Sequence, residues 1–462
     1  MTDTTIDVVA FGAPWGDVPG ATAREFGGDE SGPLCNDCPY DEVMRYFGNV
    51  WALVKDMEAS RYQRIKTHYV SARVYGAPHV WQQGTVRIHP APHPTSDLSK
   101  QMYESMHALV EQSATFQALD RKTAIMMTAQ TQHAQWLIAK GFERVVEVGV
   151  LYTGVCHSHG QVFTQRNHIV FSSHTAAVVN DTAINGMGGI VTGTRSNIVI
   201  PPVFVSIRPD VREPSDTPYL YYNNVKSRRC GLEIAVAVLS KCRALPKGYC
   251  PSPLQDKWEL AGEIDWPNCQ LVITGLGMVD EMLDAMRARL SDDLAAAIHD
   301  QGVVTYEQAV DLARKALCTI SPDCYHAPSA AHTACAIEAG CPVVAFGLGA
   351  HKEMHAEYPA GYYTAPMYTI DSFVETVAHA ATQAVSDMHH RVQPPSVPDS
   401  FMRMDALDQL CEWFTHIKSN DAMGIPFELI RHFPSPPPTE TVEASVQPTE
   451  PVEPTRTIEP DL

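Results

Sequence analysis

The segment from Ala316 to Ala350 constrains the fold more than any other, because it reads as strand, loop, helix, strand and loop in one short stretch. Two apolar runs, Cys318 to Ser321 and Val343 to Phe346, have the pattern of buried strands. The Ala-rich stretch between them, Ala330 to Ala339, contains no breaker and predicts a helix that ends at Gly340. Two strands joined through a helix are parallel, since antiparallel neighbours need only a hairpin turn. The segment therefore predicts a parallel α/β sheet.

The loop between the first of these strands and the helix is predicted to lie at the carboxyl edge of the sheet. Pro328 and Ser329 suit the first turn and the cap of the helix. Backbone N–H groups and the helix dipole at such an edge favour an anion, for example a phosphate. The loop is therefore a candidate phosphate site.

Several runs in the second half of the chain carry a family resemblance. Residues 336–345, AIEAGCPVVA, resemble the end of the donor-binding helix in GT-B glycosyltransferases, most closely those of family 4. The runs GLGAHKE at 347–353 and AGYY at 360–363 are similar to the family's next loop and strand. Upstream, LVITGLG at 271–277 resembles its strand with Gly-x-Gly, and YLYYNNVKSRRCG at 219–231 resembles its first strand and basic loop. The runs stand in the order that the family has.

The resemblance implies a GT-B fold, an α/β architecture of two Rossmann-like parallel-sheet domains that face each other across a cleft. Alternating strand and helix patterns in the first half of the chain agree with a second α/β domain. We predict an acceptor-side domain at 1–199, a nucleotide-sugar domain at 200–395, a helix at 396–432 that crosses back to the first domain, and a disordered acidic, Pro-rich tail at 433–462.

One part of the family's pattern is absent. Family 4 members usually have two Glu separated by seven residues, and the aligned positions here are Ala327 and Cys335. Glu338 lies one helical turn beyond Cys335 on roughly the same face, and it is the predicted substitute for the second Glu in a ribose contact. A degenerate copy of the fold without catalysis stays open as an alternative.

Donor binding needs positive charge or N–H groups for a diphosphate and polar groups for the sugar. Three cations follow a predicted buried strand, and the resemblance implies that they contact the diphosphate. The predicted donor-binding residues are Lys226, Arg228, Arg229, Gly275, Gly277, Asp323, His326, Ser329, His332, Thr333 and Glu338. A solvated basic loop is the alternative reading of the three cations, and simple helix capping is the alternative for Ser329.

Candidate catalytic residues follow strands of the first half. His157 and His159 come after a strand predicted to end near Tyr152, and His174 comes after one predicted to end at Ser172. The resemblance implies a catalytic His at such a position, although with twenty His in the chain each has an idle surface or core position as its alternative. It also implies that Glu353 lies by the sugar.

The loop after the predicted first strand, Ile6 to Phe11, is long and Gly-rich, which is typical of a functional loop. Gly12, Trp15 and Asp17 in this loop are the predicted acceptor-side residues. The same loop contains a single C-x-x-C, but no further zinc ligands at suitable spacing are evident nearby. We expect neither a metal nor a cofactor, because GT-B enzymes generally need none.

Composition limits the remaining choices. A net charge of −19 argues against a nucleic-acid coat or a membrane-surface protein, although a local basic groove stays open. No apolar run reaches the ~18 residues that a membrane-spanning helix needs, and the N-terminus lacks the basic start of a signal peptide. Twelve scattered Cys fit reduced thiols in the cytoplasm.

The resulting hypothesis is a cytoplasmic hexosyltransferase that moves a sugar from a UDP- or GDP-linked donor to an acceptor hydroxyl, with the retention that family 4 implies. The acceptor stays open among a glycan, a lipid, a small molecule, a protein and a hydroxymethylated DNA base. A nucleotide-sugar epimerase and a non-catalytic scaffold of the same fold are the alternatives, and the oligomeric state is undetermined.

Overall fold

A computed structural model places the strands of the chain in two sheets. The structure describes residues 5–11, 65–71, 81–83, 86–90, 111, 114–128, 131–149, 168–171, 196–200, 203–206, 209–212, 215–224, 230–251, 254, 262–275, 280–302, 304–323, 330–366 and 369–419. The long loop after residue 11 and the predicted tail at 433–462 lie outside these residues.

The first sheet has eight strands in the order β3-β4-β2-β1-β5-β6-β7-β8. All neighbours are parallel except β3 and β4, which pair antiparallel at one edge. The strands are β1 (Ile6–Phe11), β2 (Ile65–Ser71), β3 (Trp81–Gln83), β4 (Val86–Pro90), β5 (Ile125–Thr128), β6 (Arg144–Gly149), β7 (His168–Phe171) and β8 (Ser196–Val199). The predicted parallel α/β sheet in the first half is therefore confirmed.

The second sheet has six strands, all parallel, in the order β11-β10-β9-β12-β13-β14. The strands are β9 (Tyr219–Asn223), β10 (Gln270–Thr274), β11 (Ile298–Asp300), β12 (Cys318–Ser321), β13 (Val343–Phe346) and β14 (Tyr362–Ala365). Counted within the sheet this is the doubly wound order 3-2-1-4-5-6, in which the chain reverses its direction of travel between β9 and β12.

Ten α-helices lie in the described part of the chain. They are α1 (Ala114–Gln117), α2 (Thr131–Ala139), α3 (Leu232–Arg243), α4 (Asp280–Arg287), α5 (Asp292–Ala296), α6 (Tyr306–Lys315), α7 (Ala334–Glu338), α8 (Ala350–Glu357), α9 (Ile370–His389) and α10 (Arg403–Ser419). None of the helices in this part of the chain combines the length and the apolar character that crossing a membrane requires.

Local sequence accounts for the helix boundaries around the second sheet. Thr305 starts α6 with a capping box, in which its hydroxyl accepts from Gln308 N while the Gln308 side chain accepts from Thr305 N. Gly340 follows α7 with φ of 68°, so the predicted stop at this glycine is confirmed.

The four central strands of the second sheet, β9, β10, β12 and β13, bury both faces. Leu220, Tyr222 and Ile273 belong to a core shared with α3 and α9. The alternate residues Tyr221 and Val272 belong to a second core shared with α6, α7 and α8. Both faces are therefore covered by helices, which explains why these strands read as unbroken apolar runs.

Some predicted boundaries are wrong. α5 stops at Ala296, and Ile298–Asp300, which was not predicted as a strand, pairs with β10 at the edge of the sheet. The predicted helix over 330–339 begins as a 3-10 turn at Ala331–Thr333 before α7. β8 and β3 were not predicted, because their sequences, SNIV and WQQ, are not the apolar runs by which β12 and β13 were recognised.

Candidate functional site

The candidate site lies at the carboxyl edge of the second sheet, where β9 and β12 are neighbours. At this point the two halves of a doubly wound sheet diverge, and the loops that leave the strands open a crevice. Asn223 ends β9 and Asn224 follows it, Gly275 follows β10, and Asp323 lies two residues after β12. Polar residues thus end or follow β9 and β12 at one edge, and β10, which ends at Thr274, reaches the same edge.

Two glycines allow the loops at this edge to approach each other. Gly231, at the start of α3, has φ of 77°, and a Cβ there would lie 2.0 Å from the carbonyl oxygen of Pro322. Gly275 has φ of 120°, and a Cβ there would lie 2.3 Å from the carbonyl oxygen of Asn224. The donor-binding role predicted for Gly275 stays a prediction, and the structure shows that this glycine permits backbone contact between the segments after β9 and β10.

A row of buried side-chain hydrogen bonds connects the strand ends. The hydroxyls of Tyr221 and Thr274 lie 2.6 Å apart, and Thr274 donates to Asn223 Oδ1 at 3.0 Å. The amide of Asn223 donates to the backbone oxygen of His332 at 2.9 Å and contacts the sulfur of Cys335 at 3.0 Å. This row fixes the start of the helical segment after β12 against β9.

Asp323 is the centre of a second polar cluster. Asn224 donates to its Oδ1 at 3.0 Å, and Ser321 donates to its Oδ2 at 2.8 Å. The Nε2 atoms of His351 and His332 lie 2.9 Å and 3.3 Å from the same Oδ2. Ser321, Asp323, His332 and His351 are named the Asp323 cluster below.

A tyrosine holds the buried histidine of this cluster in place. The Nδ1 atom of His351 lies 2.6 Å from the hydroxyl of Tyr362, and the two rings stack at 5.9 Å between centroids. The side chain of His351 is fully buried, whereas 18% of the His332 side chain is exposed. His332 is therefore the member of the cluster that a ligand reaches first.

The electrostatics of the cluster favour an ionised carboxylate. Burial by itself would raise the pKa of Asp323, but the charge of His332 and the hydrogen bonds from both imidazoles outweigh it and hold this pKa well below its usual range. Burial lowers the pKa of His351 despite the nearby carboxylate, which favours the uncharged imidazole. Burial also raises the pKa of Tyr362 far above that of an exposed phenol.

Of the predicted donor-binding residues, the structure brings Asp323 and His332 together. Thr333 is buried next to them, and its hydroxyl donates to the backbone oxygen of Ala330 at 2.7 Å. Glu353, predicted to lie by the sugar, is half-buried in the first turn of α8.

Glu338 lies at the other end of α7 and is 3% exposed. Its carboxylate accepts a hydrogen bond from the backbone N–H of Ser206 and one from the phenol of Tyr306. In this structure the Glu338 side chain, which was predicted to contact the ribose, connects α7 to α6 and to the segment before β9.

The other predicted site residues lie outside the described part of the chain. They are Gly12, Trp15, Asp17, His157, His159, His174, Lys226, Arg228, Arg229, Gly277, His326 and Ser329. The thiols of the C-x-x-C, Cys35 and Cys38, lie outside it as well.

Sequence reasoning missed four side chains of this edge. Asn223, Asn224 and Thr274 stand at the carboxyl ends of buried strands, and that position alone was a usable signal. The sequence indicated a role for His351 less clearly. This residue stands in the run GLGAHKE, in which the family resemblance assigns a role only to the glutamate two residues later.

Comparison with known proteins identifies the fold. Neither a protein-family profile nor a curated protein sequence matches the chain. Among solved structures, HepE from Anabaena in complex with UDP and glucose is similar at a TM-score of 0.52 and 11% identity, covering 89% of this chain and 100% of HepE. WaaG, a glycosyltransferase involved in lipopolysaccharide biosynthesis, is similar at a TM-score of 0.52 and 12% identity, covering 89% of this chain and 99% of WaaG. The chain has the GT-B fold.

Proposed function

We propose that the protein is a glycosyltransferase that moves a sugar from a nucleotide-sugar donor to an acceptor hydroxyl. The observation that carries this proposal is the concentration of polar residues at the switch point of the second sheet of a GT-B fold. HepE, whose structure contains UDP and glucose, supports a UDP-linked donor.

The first requirement of the reaction is positive charge on the diphosphate leaving group. Lys226, Arg228 and Arg229 lie two to five residues after Asn224. The side chains of Asn223 and Asn224 are held at the carboxyl edge of the second sheet. Because a loop that leaves the carboxyl end of β9 begins at this edge, the three cations are the proposed diphosphate contacts.

The second requirement is a base for the acceptor hydroxyl. We propose retention of the anomeric configuration, in which an oxygen of the leaving phosphate accepts the proton from the acceptor. His157, His159 and His174 are the proposed contributors from the first half of the chain, and Glu353 is the proposed contact of the sugar. Gly12, Trp15 and Asp17 remain proposed for the acceptor side, and the acceptor itself stays open.

The proposed compartment is the cytoplasm. The eight cysteines in the described part of the chain are all free thiols, and six of them are buried. Buried free thiols are typical of a reducing compartment, which supports this proposal.

A thermal-shift screen against UDP, GDP, ADP, TDP and CMP, each with matched sugars, tests the donor site. A ligand of the folded state raises the melting temperature by mass action, so we expect one nucleotide class to stand out. Incubation of the protein with that donor alone then tests for epimerisation. Incubation with the donor and a panel of acceptors tests for sugar transfer. Absence of any shift at millimolar concentration would contradict the proposed function and favour a scaffold.

Arg228→Ala is the variant that tests the phosphate contact. Loss of one charge-assisted hydrogen bond should weaken nucleotide binding by about 1–3 kcal/mol, measured by calorimetric titration. Lys315→Ala is the matched control, because Lys315 is an exposed cation before β12, at the opposite edge of the same sheet. Equal affinities for the two variants would exclude Arg228 from the donor site.

A further inference from the structure

The Asp323 cluster has a property that glycosyl transfer from a nucleotide sugar does not require: its polar atoms converge on one point. The ligand atoms of Asp323, His332 and His351 all lie within 4.8 Å of one another, and no other group of three such residues occurs in the described ranges. We propose that this cluster binds one zinc ion, coordinated by Asp323 Oδ2 and by the Nε2 atoms of His332 and His351.

The donor set selects the kind of ion. Two imidazole nitrogens and one carboxylate oxygen suit a divalent transition metal, whereas Mg²⁺ and Ca²⁺ prefer sites built from oxygen alone. Zinc accepts nitrogen and oxygen ligands in a tetrahedral arrangement without a further electronic preference. The cluster therefore fits zinc better than the alkaline-earth cations.

The distances fit a four-coordinate ion. Zinc with bonds of about 2.0–2.2 Å places its tetrahedral ligand atoms roughly 3.3–3.6 Å apart. Asp323 Oδ2 lies 2.9 Å from His351 Nε2 and 3.3 Å from His332 Nε2. Shifts of less than about 1 Å would convert these hydrogen bonds into coordination bonds, because the three donor atoms already face one another.

A fourth donor stands among these three. The hydroxyl oxygen of Ser321 lies 2.8 Å from Asp323 Oδ2, 2.5 Å from His332 Nε2 and 3.5 Å from His351 Nε2. Either this hydroxyl or a water molecule that displaces it completes the tetrahedron. Ser321, Asp323 and His351 are buried, so the site is largely closed, as structural zinc sites are.

Residues around the cluster orient the ligands. Tyr362 lies against Nδ1 of His351, which directs the other ring nitrogen, Nε2, toward the carboxylate. Asn224 donates to Oδ1 of Asp323 and so leaves Oδ2 for the ion. Outer hydrogen bonds of this kind set the ring orientation and the basicity of metal ligands.

An ion here would join three connections of the second sheet. Asp323 follows β12, His332 lies in the 3-10 turn before α7, and His351 lies in the first turn of α8. A bound cation would also compensate the negative charge of the buried Asp323 carboxylate. The proposal does not rest on the proposed function, because metal content and nucleotide binding are measured separately.

The first test measures metal in the whole, untagged chain, produced with added zinc and then passed through a desalting column in chelator-treated buffer. We expect elemental analysis to find about one zinc ion per chain. We expect removal of zinc with dipicolinate to lower the melting temperature, and Zn²⁺ to restore it. Cobalt added to the stripped protein should give the visible absorption bands of a tetrahedral site.

The second test uses a ligand variant with a matched control. His332→Asn removes the most exposed ligand, so the variant should still fold, and we expect its zinc affinity to fall more than about tenfold. His355→Ala removes a histidine of the same helix as His351 whose Nδ1 contacts the backbone oxygen of Tyr362, and zinc content should not change.

Two outcomes would overturn the proposal. One is wild-type protein without stoichiometric zinc and without a melting-temperature response to Zn²⁺ or Co²⁺. The other is equal loss of zinc from the His332 and His355 variants, which would indicate adventitious binding to surface histidines. Donor binding in the thermal-shift screen would stand or fall independently of either result.

Discussion

The two ends of the segment between β12 and β13 each bury a carboxylate, but in different surroundings. Asp323, 6% exposed, meets two imidazoles, a hydroxyl and an amide at the switch point of the sheet. Glu338, 3% exposed, meets a backbone N–H and a phenol at the far end of α7. The two carboxylates therefore share their burial but differ in their position along the sheet and in the chemistry of their partners.

Removal of the Asp323 carboxylate should have the largest effect on stability. Asp323→Ala leaves His332, His351 and Asn224 without their common partner, and we expect a loss of about 3–5 kcal/mol in the free energy of unfolding. Urea denaturation in the presence of a chelator measures this loss of stability without any contribution from bound metal. A loss below about 1 kcal/mol would show that the cluster is solvated rather than a buried network.

Substitution of Gly231 tests whether the loops at this edge depend on close approach. Gly231→Ala places a methyl group against the Pro322 carbonyl and strains a residue with positive φ, so we expect a loss of about 2–4 kcal/mol. Gly302→Ala is the matched control, because its φ is also positive, at 69°, but a Cβ there meets nothing within 4 Å. Equal losses would mean that backbone strain, and not the contact with Pro322, sets the cost.

Glu338→Gln sharpens the contrast between the two carboxylates. The variant keeps the size of the side chain but weakens its bonds to Ser206 and Tyr306, so we expect a loss of about 1–2 kcal/mol in stability. Because the carboxylate is engaged inside the protein, nucleotide affinity in calorimetric titration should not change. A weaker affinity would support the predicted ribose contact of Glu338.

The smallest effect concerns the thiols around these regions. Burial raises the pKa of Cys335 to about 12 and that of Cys269 to about 12, although an exposed thiol ionises near pH 8.5. At pH 9 the folded protein should therefore alkylate at half-buried Cys230 and Cys250 well before these two positions, as peptide mass spectrometry would show. Rapid labelling of Cys335 would indicate that the segment carrying α7 opens.

The sequence by itself determined the positions of the central strands and the class of fold. Strands β9, β12 and β13 were predicted within one or two residues, because each is an apolar run bounded by proline, glycine or polar residues. The edge strands β3 and β11 were missed, because three residues acquire a strand conformation only from the neighbour with which they pair.

Tertiary structure decided which polar residues act together. The local sequence pattern predicted Asp323 and His332 as donor-binding residues. Their partners are distant in the chain, because His351 lies 28 residues from Asp323 and Asn224 lies 99 residues from it. Local spacing cannot reveal such partners, because parallel strands bring their carboxyl ends to one edge from distant parts of the chain. The helix face suggested a ribose contact for Glu338, but only the folded chain shows Ser206 and Tyr306 against its carboxylate.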